Sequence, residues 1–206
     1  MKIKSPKLPP HLEMKSYDRQ EELNGFNFEN EEIRDITNKH FIINECYFKN
    51  IIFTNCSFYG IDCMDTIFEN CDLSNIDFSD GSIHRAIFKN CRMMGSDFSN
   101  TTLHDVQYIN NQATYINFSF CKCLRILFQK NNFSQSSFNE TILKEISFEE
   151  CILQQSEFIH SPLNKIDLSD CDINQIMVTS DSLVGIIVNS FQAIELSKLL
   201  GIIIKE

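Results

Sequence analysis

The 206-residue chain has no tryptophan, six glycines and four prolines, too little Gly and Pro for a collagen-like or low-complexity disordered chain. No apolar run approaches the roughly 18 residues that a membrane-spanning helix needs. The N-terminus, Met1-Lys-Ile-Lys-Ser-Pro-Lys-Leu-Pro-Pro10, carries basic residues but no apolar stretch behind them, so it lacks the pattern of an export signal. A cytoplasmic protein without membrane contact is expected. Basic residues are scarce, with 18 Lys and Arg against 28 Asp and Glu and a net charge of −10. Affinity for nucleic acid comes largely from Lys and Arg displacing counterions, so direct nucleic-acid binding is not expected. No Gly-rich phosphate loop, Ser-His-Asp order or His-Glu-x-x-His motif occurs, which argues against an enzyme and against a cofactor. The nine cysteines contain no C-x-x-C pair, and Cys121-Lys122-Cys123 alone is a weak metal signal.

What the chain does have is a five-residue frame. Every position whose number ends in 3 or 8, from Ile43 to Val188, gives 30 centres without insertion or deletion. Thirteen are Phe, seven Leu, three Ile and two Val, and the other five are Cys63, Met93, Tyr108, Ala113 and Cys123. No charged residue enters the column. Two residues before each centre the side chain is small or branched, as in Cys46-Tyr-Phe48 and Ile76-Asp-Phe78. A period of five is neither the helical 3.6 nor the strand period of two, so the chain must turn at each repeat.

Taking every fourth centre sorts the residues again. Phe58, Phe78, Phe98, Phe118, Phe138, Phe158 and Val178 form one column, and Phe48, Phe68, Phe88, Tyr108, Phe128, Phe148, Leu168 and Val188 another. The two between them, headed by Ile43 and Phe53, are mostly aliphatic. A chain that turns a corner every five residues closes a square after twenty and stacks like on like at the β spacing of about 4.8 Å. All nine cysteines then fall on inward positions, where a thiol acts as a compact hydrophobe, and reduced thiols are expected. Asn50, Asn70, Asn90 and Asn110 stack at the end of a repeat, where Asn tolerates a left-handed backbone.

The frame resembles the pentapeptide-repeat family, whose loose consensus appears in Cys71-Asp-Leu-Ser-Asn75, Ile76-Asp-Phe-Ser-Asp80 and Ser96-Asp-Phe-Ser-Asn100. That resemblance implies an all-β solenoid, a right-handed quadrilateral β-helix, here with a short C-terminal helix. The expected organisation is an N-terminal cap over residues 1–25, the β-helix over 26–188, and a helix and tail over 189–206. Pro6, Pro9, Pro10 and the charged stretch from Glu13 to Glu22 predict a cap containing a short helix. Asn189 with Gln192 three residues on predicts a helix N-terminus, with Gly201 as its stop. Phe191, Ile194, Leu199, Leu200 and Ile202 offer more apolar surface than one end cap requires, and family resemblance points to end-to-end homodimers through them.

Residues 43–188 hold 18 acidic and 9 basic residues, so the negative charge belongs to the rod. Outside the Phe58 column, Asp77, Asp97 and Glu157 share a line with Asp80 and Glu140 nearby. These five are the candidate partner-binding residues. Glu149, Glu150, Asp167 and Asp170 form a second acidic cluster, expected one face earlier. Glu45, Asp65, Arg85, Asp105, Arg125, Glu145 and Lys165 alternate in sign along one corner. His84 and His104 stack on adjacent coils, but two ligands are too few for a metal site.

The unbroken coils, the Pro-rich N-terminus, Gly81-Ser-Ile-His-Arg85 and a Gln192-Ala193 helix ending at Leu200-Gly201 are similar to the quinolone-resistance (Qnr) pentapeptide proteins, especially their chromosomal Gram-positive branch. This implies a DNA-shaped acidic dimer that binds DNA gyrase and topoisomerase IV and protects them from fluoroquinolones. Plasmid-borne members carry loop insertions, for which this frame leaves no room. The alternative is a scaffold for an unrelated protein, with Ile67, Ile87, Ile109 and Leu127 as outward apolar residues on one face.

Overall fold

Two of every five side chains point inward, and their burial forces the chain to bend around them. In the computed structural model, which describes residues 2–18, 20 and 22–205, it winds into a right-handed, four-sided β-helix of about eight coils. At ~4.8 Å per coil the rod is on the order of 38 Å long. The frame starts one coil earlier than the 30 centres require, since Leu23, Phe28 and Ile33 are fully buried and Leu23 lies beside Ile43 in parallel register. Faces 1 to 4 are named here by the columns containing Ile43, Phe48, Phe53 and Phe58.

Corners fall on residues numbered in 0 or 5. From Gly25 to Gly185 they hold φ between 50 and 78°, Asp170 and Ser180 excepted. This left-handed region suits Gly and is tolerated by Asn and Asp, and Asn fills eight of the corners. Their side chains continue the ladder, with Asn50 Nδ2 donating to Asn30 Oδ1 at 2.7 Å and Asn110 Nδ2 to Asn90 Oδ1 at 2.8 Å.

The strands are β1 (Glu13–Met14), β2 (Glu22–Asn24), β3 (Phe26–Glu29), β4 (Glu32–Arg34), β5 (Ile42–Asn44), β6 (Tyr47–Lys49), β7 (Ile52–Thr54), β8 (Asp62–Glu69), β9 (Ser82–Lys89), β10 (Thr102–Ile109), β11 (Lys122–Gln129), β12 (Ile142–Glu149), β13 (Glu157–Phe158) and β14 (Met177–Val178), followed by helix α1 (Ser190–Leu199). From β8 to β12 single eight-residue strands run across faces 1 and 2 in parallel register twenty residues apart. Faces 3 and 4 instead use turns in which the N–H of the residue after a corner donates to the carbonyl three residues back, as in Ile76 N to Leu73 O (3.2 Å) and Thr101 N to Phe98 O (3.1 Å). Beyond residue 160, faces 1 and 2 adopt such turns too, at Leu163–Ile166 and Leu168–Cys171.

Two aromatic ladders fill the interior. On face 2 the rings from Phe28 through Phe48, Phe68, Phe88, Tyr108 and Phe128 to Phe148 stack at 4.8–5.3 Å. On face 4 those from Phe58 to Phe158 repeat at 4.5–5.3 Å. The ladders meet edge to face, as for Phe88 and Phe98 at 88°, the arrangement aromatic quadrupoles favour. All nine cysteines are free thiols, eight buried and Cys56 half-buried. Several donate to carbonyls of the preceding coil, such as Cys121 Sγ to Phe98 O at 2.8 Å. Burial pushes the Cys46 thiol up to about 11 and that of Cys63 to about 12, which keeps them protonated and unreactive.

The N-terminal segment departs from expectation. Among the described residues before Glu22 there is no helix. Instead β1 pairs with β3, Glu13 beside Phe26, covering the open edge of the first coil, and residues 2–8 extend along the side of the rod. An unpaired strand edge offers a row of backbone partners, whereas an isolated helix this short is marginal. At the other end Asn189 and Gln192 form the anticipated capping box. Gly201 (φ 74°) stops the helix, with Gly201 N bonding Lys198 O and Ile202 N bonding Ser197 O, the Schellman pattern. Gln192 Nε2 donates to Leu168 O and Cys171 O, both at 2.8 Å, tying α1 onto the last full coil.

Candidate functional site

Over most of its length face 4 carries charge of one sign. Past its first coil, which carries Asp35 and Lys39, its outward positions and two corners, residues 55–60, 75–80, 95–100, 115–120, 135–140 and 155–160, contain no Lys or Arg, and their only acids are the five candidates Asp77, Asp80, Asp97, Glu140 and Glu157. Parallel bridges link Asp77 to Asp97, Asp97 to Asn117, Asn117 to Ser137 and Ser137 to Glu157, so these residues form one axial line. Asp77 Oδ1 accepts the Ser79 N–H at 2.9 Å and the Ser79 hydroxyl at 2.5 Å. Asp97 Oδ1 accepts Ser99 N–H at 2.9 Å and the Asn117 amide at 3.0 Å. Each aspartate thus fixes its own turn with one oxygen, and Oδ2 takes no part in these bonds. Glu157 Oε2 accepts from Asn139 Nδ2 at 2.6 Å, while Asp80 and Glu140 are exposed corners. Elsewhere on the rod several acids are paired with base: Arg85 with Asp65, Lys89 with Glu69, Arg92 with Asp72, Arg125 with Asp105 and Lys130 with Glu150. The second acidic cluster, Glu149, Glu150, Asp167 and Asp170, belongs to face 2 and its corner, which is opposite face 4 rather than next to it.

The corner between faces 1 and 2 holds an ion-pair ladder. Arg85 makes a two-pronged contact with Asp65, both bonds at 2.6 Å, and Arg125 does the same with Asp105 at 2.7 and 3.0 Å. Asp65 and Asp105 are 4% and 2% exposed because the N-terminal segment lies on them, with Lys7 N–H donating to Asp65 Oδ1 (2.8 Å) and Lys4 N–H to Asp105 Oδ1 (3.2 Å). Three extended residues span about 10 Å, matching the roughly 9.6 Å of two coils. The Arg125 bonds, against the cost of burial and with help from the Lys4 N–H, lower the Asp105 carboxyl to about 2. At Asp65 burial opposes ionisation, yet the Arg85 and Lys7 bonds outweigh it and hold the carboxyl below its usual range. The alternating signs of this corner are visible in the sequence; the strap that buries it is not. His84 and His104 meet ring edge to face at 5.2 Å. Desolvation, reinforced by Arg125, pulls the His104 pKa down. Among the described residues no three His, Cys, Asp or Glu side chains are grouped to hold a metal.

Ile67, Ile87, Ile109 and Leu127 are half-buried on face 2, with Ile67 beside Ile87, but Gln107 rather than Ile109 sits between Ile87 and Leu127. At the C-terminal end, α1 buries Leu196 and Gln192 but leaves Phe191 80%, Ile194 44%, Leu199 54%, Leu200 57% and Ile202 52% exposed. The cap uses none of these five.

Two family models match the chain, described as pentapeptide repeat region over residues 61–133 and pentapeptide repeats (8 copies) over residues 132–170. No curated protein sequence matches it. Among solved structures, it is similar to a trypsin-treated variant of QnrB1, described as a plasmid-mediated fluoroquinolone resistance protein, at 18% identity over 90% of this chain and 99% of that one, with a TM-score of 0.47. Full-length QnrB1 matches at 18% identity, 88% and 90% coverage and a TM-score of 0.43. HetL, a pentapeptide repeat protein involved in heterocyst differentiation regulation from the cyanobacterium Nostoc sp., matches at 14% identity, 82% and 90% coverage and a TM-score of 0.34. No helix among the described residues is long and apolar enough to cross a membrane.

Proposed function

Given that the chain belongs to the pentapeptide-repeat family, we propose that it is a non-enzymatic protein-binding rod whose acidic face 4 enters the DNA-binding groove of DNA gyrase and topoisomerase IV and protects both from fluoroquinolones. The observation that carries this reading is the charge of that face: five carboxylates and no Lys or Arg over six successive coils. A basic groove built for a duplex attracts such a surface by electrostatic complementarity, which raises the association rate and makes it salt-sensitive. The topoisomerase partner comes from the sequence resemblance to the Qnr proteins. Two copies joined end to end through Phe191, Ile194, Leu199, Leu200 and Ile202 form a symmetric pair in which the same patch meets itself, and the acidic face doubles in length.

The test is DNA supercoiling by gyrase in the presence of ciprofloxacin, with this protein titrated in. Supercoiling is expected to recover as the protein is added, and to recover less as salt rises. Replacing Asp77, Asp97 and Glu157 together by Lys is expected to abolish the recovery. Absence of rescue at every concentration, together with no gyrase binding at low salt, overturns the reading and leaves an unrelated protein partner as the alternative.

A further inference from the structure

Among the residues that hold φ near +60° at the corners, all but two are Gly or carry a polar or charged side chain. The exceptions are Tyr115 and Phe120, each with φ of 62°. A bulky aromatic residue in this conformation is an outlier, and a backbone held against local preference is a pointer to function. Both side chains are also set out in solvent, 56% and 50% exposed, so neither is there to fill the core. They fall in one coil and bracket Phe118, the centre of face 4. Tyr115 additionally borders an open recess lined by Gln135, Gln155, Gln175, Glu157 and Met177.

Between the two rings face 4 is neutral. Asn117 Oδ1 accepts the Ser119 N–H at 3.0 Å, and the Ser119 and Ser137 hydroxyls bond at 2.7 Å. Asp77, Asp80 and Asp97 lie in the two coils before this patch and Glu140 and Glu157 in the two after it. Read along the rod axis, face 4 therefore runs acid, aromatic and uncharged, acid. This is the anatomy of a protein–protein interface, in which charge is depleted and aromatics are enriched at the centre while a polar rim surrounds it, and in which a few central aromatic residues dominate the affinity.

We propose that Tyr115 and Phe120 are the anchor residues that seat face 4 in the basic, duplex-shaped groove of its protein partner, with the five carboxylates as the rim. The proposal rests on the function proposed above and adds what holds the complex once charge has steered it together. Rim charge acts on the association rate and its salt dependence; desolvated anchors act on the dissociation rate. The two contributions are therefore separable.

The experiment measures binding kinetics on immobilised DNA gyrase at two salt concentrations for the full chain, the double variant Tyr115→Asn with Phe120→Asn, and the triple variant Asp77→Asn, Asp97→Asn and Glu157→Gln. Asn is the residue found at eight other corners of this backbone, so the double variant is expected to melt no lower than the parent. Its affinity is expected to fall on the order of 30-fold or more, through faster dissociation and with the salt dependence unchanged. The triple variant is expected to associate more slowly and to lose salt dependence. If the full chain binds and the triple variant behaves so, but the double variant binds within about twofold of the parent, the anchor assignment falls and the acidic-face reading stands. A double variant that loses binding together with melting temperature also overturns it, since the rings are then structural. If the full chain does not bind gyrase at low salt, the functional reading falls and the anchors fall with it.

Discussion

Replacing Asp105 by asparagine removes a buried charge that two partners stabilise: the Arg125 guanidinium, at 2.7 and 3.0 Å, and the Lys4 N–H, at 3.2 Å. The folded carboxyl titrates at about 2 against an ordinary value of 3.8. That difference is worth about 2.5 kcal/mol at 1.36 kcal/mol per unit. Asparagine retains one acceptor oxygen, and the Arg125 side chain is 21% exposed, so water compensates it in part. The expected loss near neutral pH is therefore about 2 kcal/mol, or roughly 4–8 °C in Tm for a chain of this size. Because the folded pKa is depressed, this stabilisation is complete above the ordinary carboxylate pKa, declines as pH falls below about 4, and is gone below about 2. Thermal unfolding of parent and variant from pH 7 down to pH 2 measures the difference directly. Limited trypsin digestion gives a second readout: with its acceptor weakened, the segment bearing Lys2, Lys4 and Lys7 is expected to be cleaved sooner in the variant. A variant as stable as the parent at pH 7, or a deficit undiminished at pH 2, refutes the assignment of the ion pair and strap as a stabilising unit.

Other substitutions test other parts of the rod. Tyr108 sits in the face 2 ring ladder, fully buried, and its hydroxyl has no hydrogen-bond partner among the described residues; Tyr108→Phe is expected to stabilise by about 1 kcal/mol, seen as a raised denaturation midpoint. Gly81→Ala places a Cβ 2.8 Å from Ile61 Cγ2 and 3.0 Å from Ile61 O, and this overpacking is expected to cost about 1–3 kcal/mol by the same measurement. Gln192→Ala removes both the capping-box side chain and the donor to Leu168 O and Cys171 O, so hydrogen exchange is expected to quicken across residues 165–200 while the coils before residue 150 keep their protection. In sedimentation the parent is expected to run as a dimer and Phe191→Asp with Leu200→Asp as a monomer; a monomeric parent or equal masses dispose of the C-terminal interface.

Most of the fold can be read from the chain because the period is short and uninterrupted. Once position 43 is assigned inward, every later centre follows, and by arithmetic Asp77, Asp97 and Glu157 fall into line with Asp80 and Glu140 at the adjoining corners. The N-terminal strap has no such frame. Its contacts join Lys4 to Asp105 and Lys7 to Asp65, 101 and 58 residues apart, and nothing in the local order Lys-Ser-Pro-Lys specifies that a backbone N–H will find those carboxylates. The charged stretch after Glu13 suggested a helix because its edge partner, β3, is a tertiary feature. The buried pair Asn111 and Asn131 is legible as position but not as chemistry. Their amides satisfy the carbonyls of Phe88 and Tyr108 at 2.9 and 2.8 Å, the same carbonyl position, 23 residues back, that Cys71 and Cys91 reach with sulfur at 3.5 and 3.4 Å.

The single-signed face can also be expressed as a linear charge density. From Asp77 to Glu157 it presents five carboxylates over four coil rises, about 19 Å of axis at ~4.8 Å each, or one charge per roughly 4–5 Å. A single DNA strand carries one per about 3.4 Å and the duplex one per about 1.7 Å. Face 4 therefore approaches the spacing of one phosphate strand and falls well short of two, so a groove that closes over it gives back fewer condensed counterions than one that closes over a duplex. On the function proposed above, the affinity of this rod for such a groove is expected to fall less steeply with ionic strength than that of DNA.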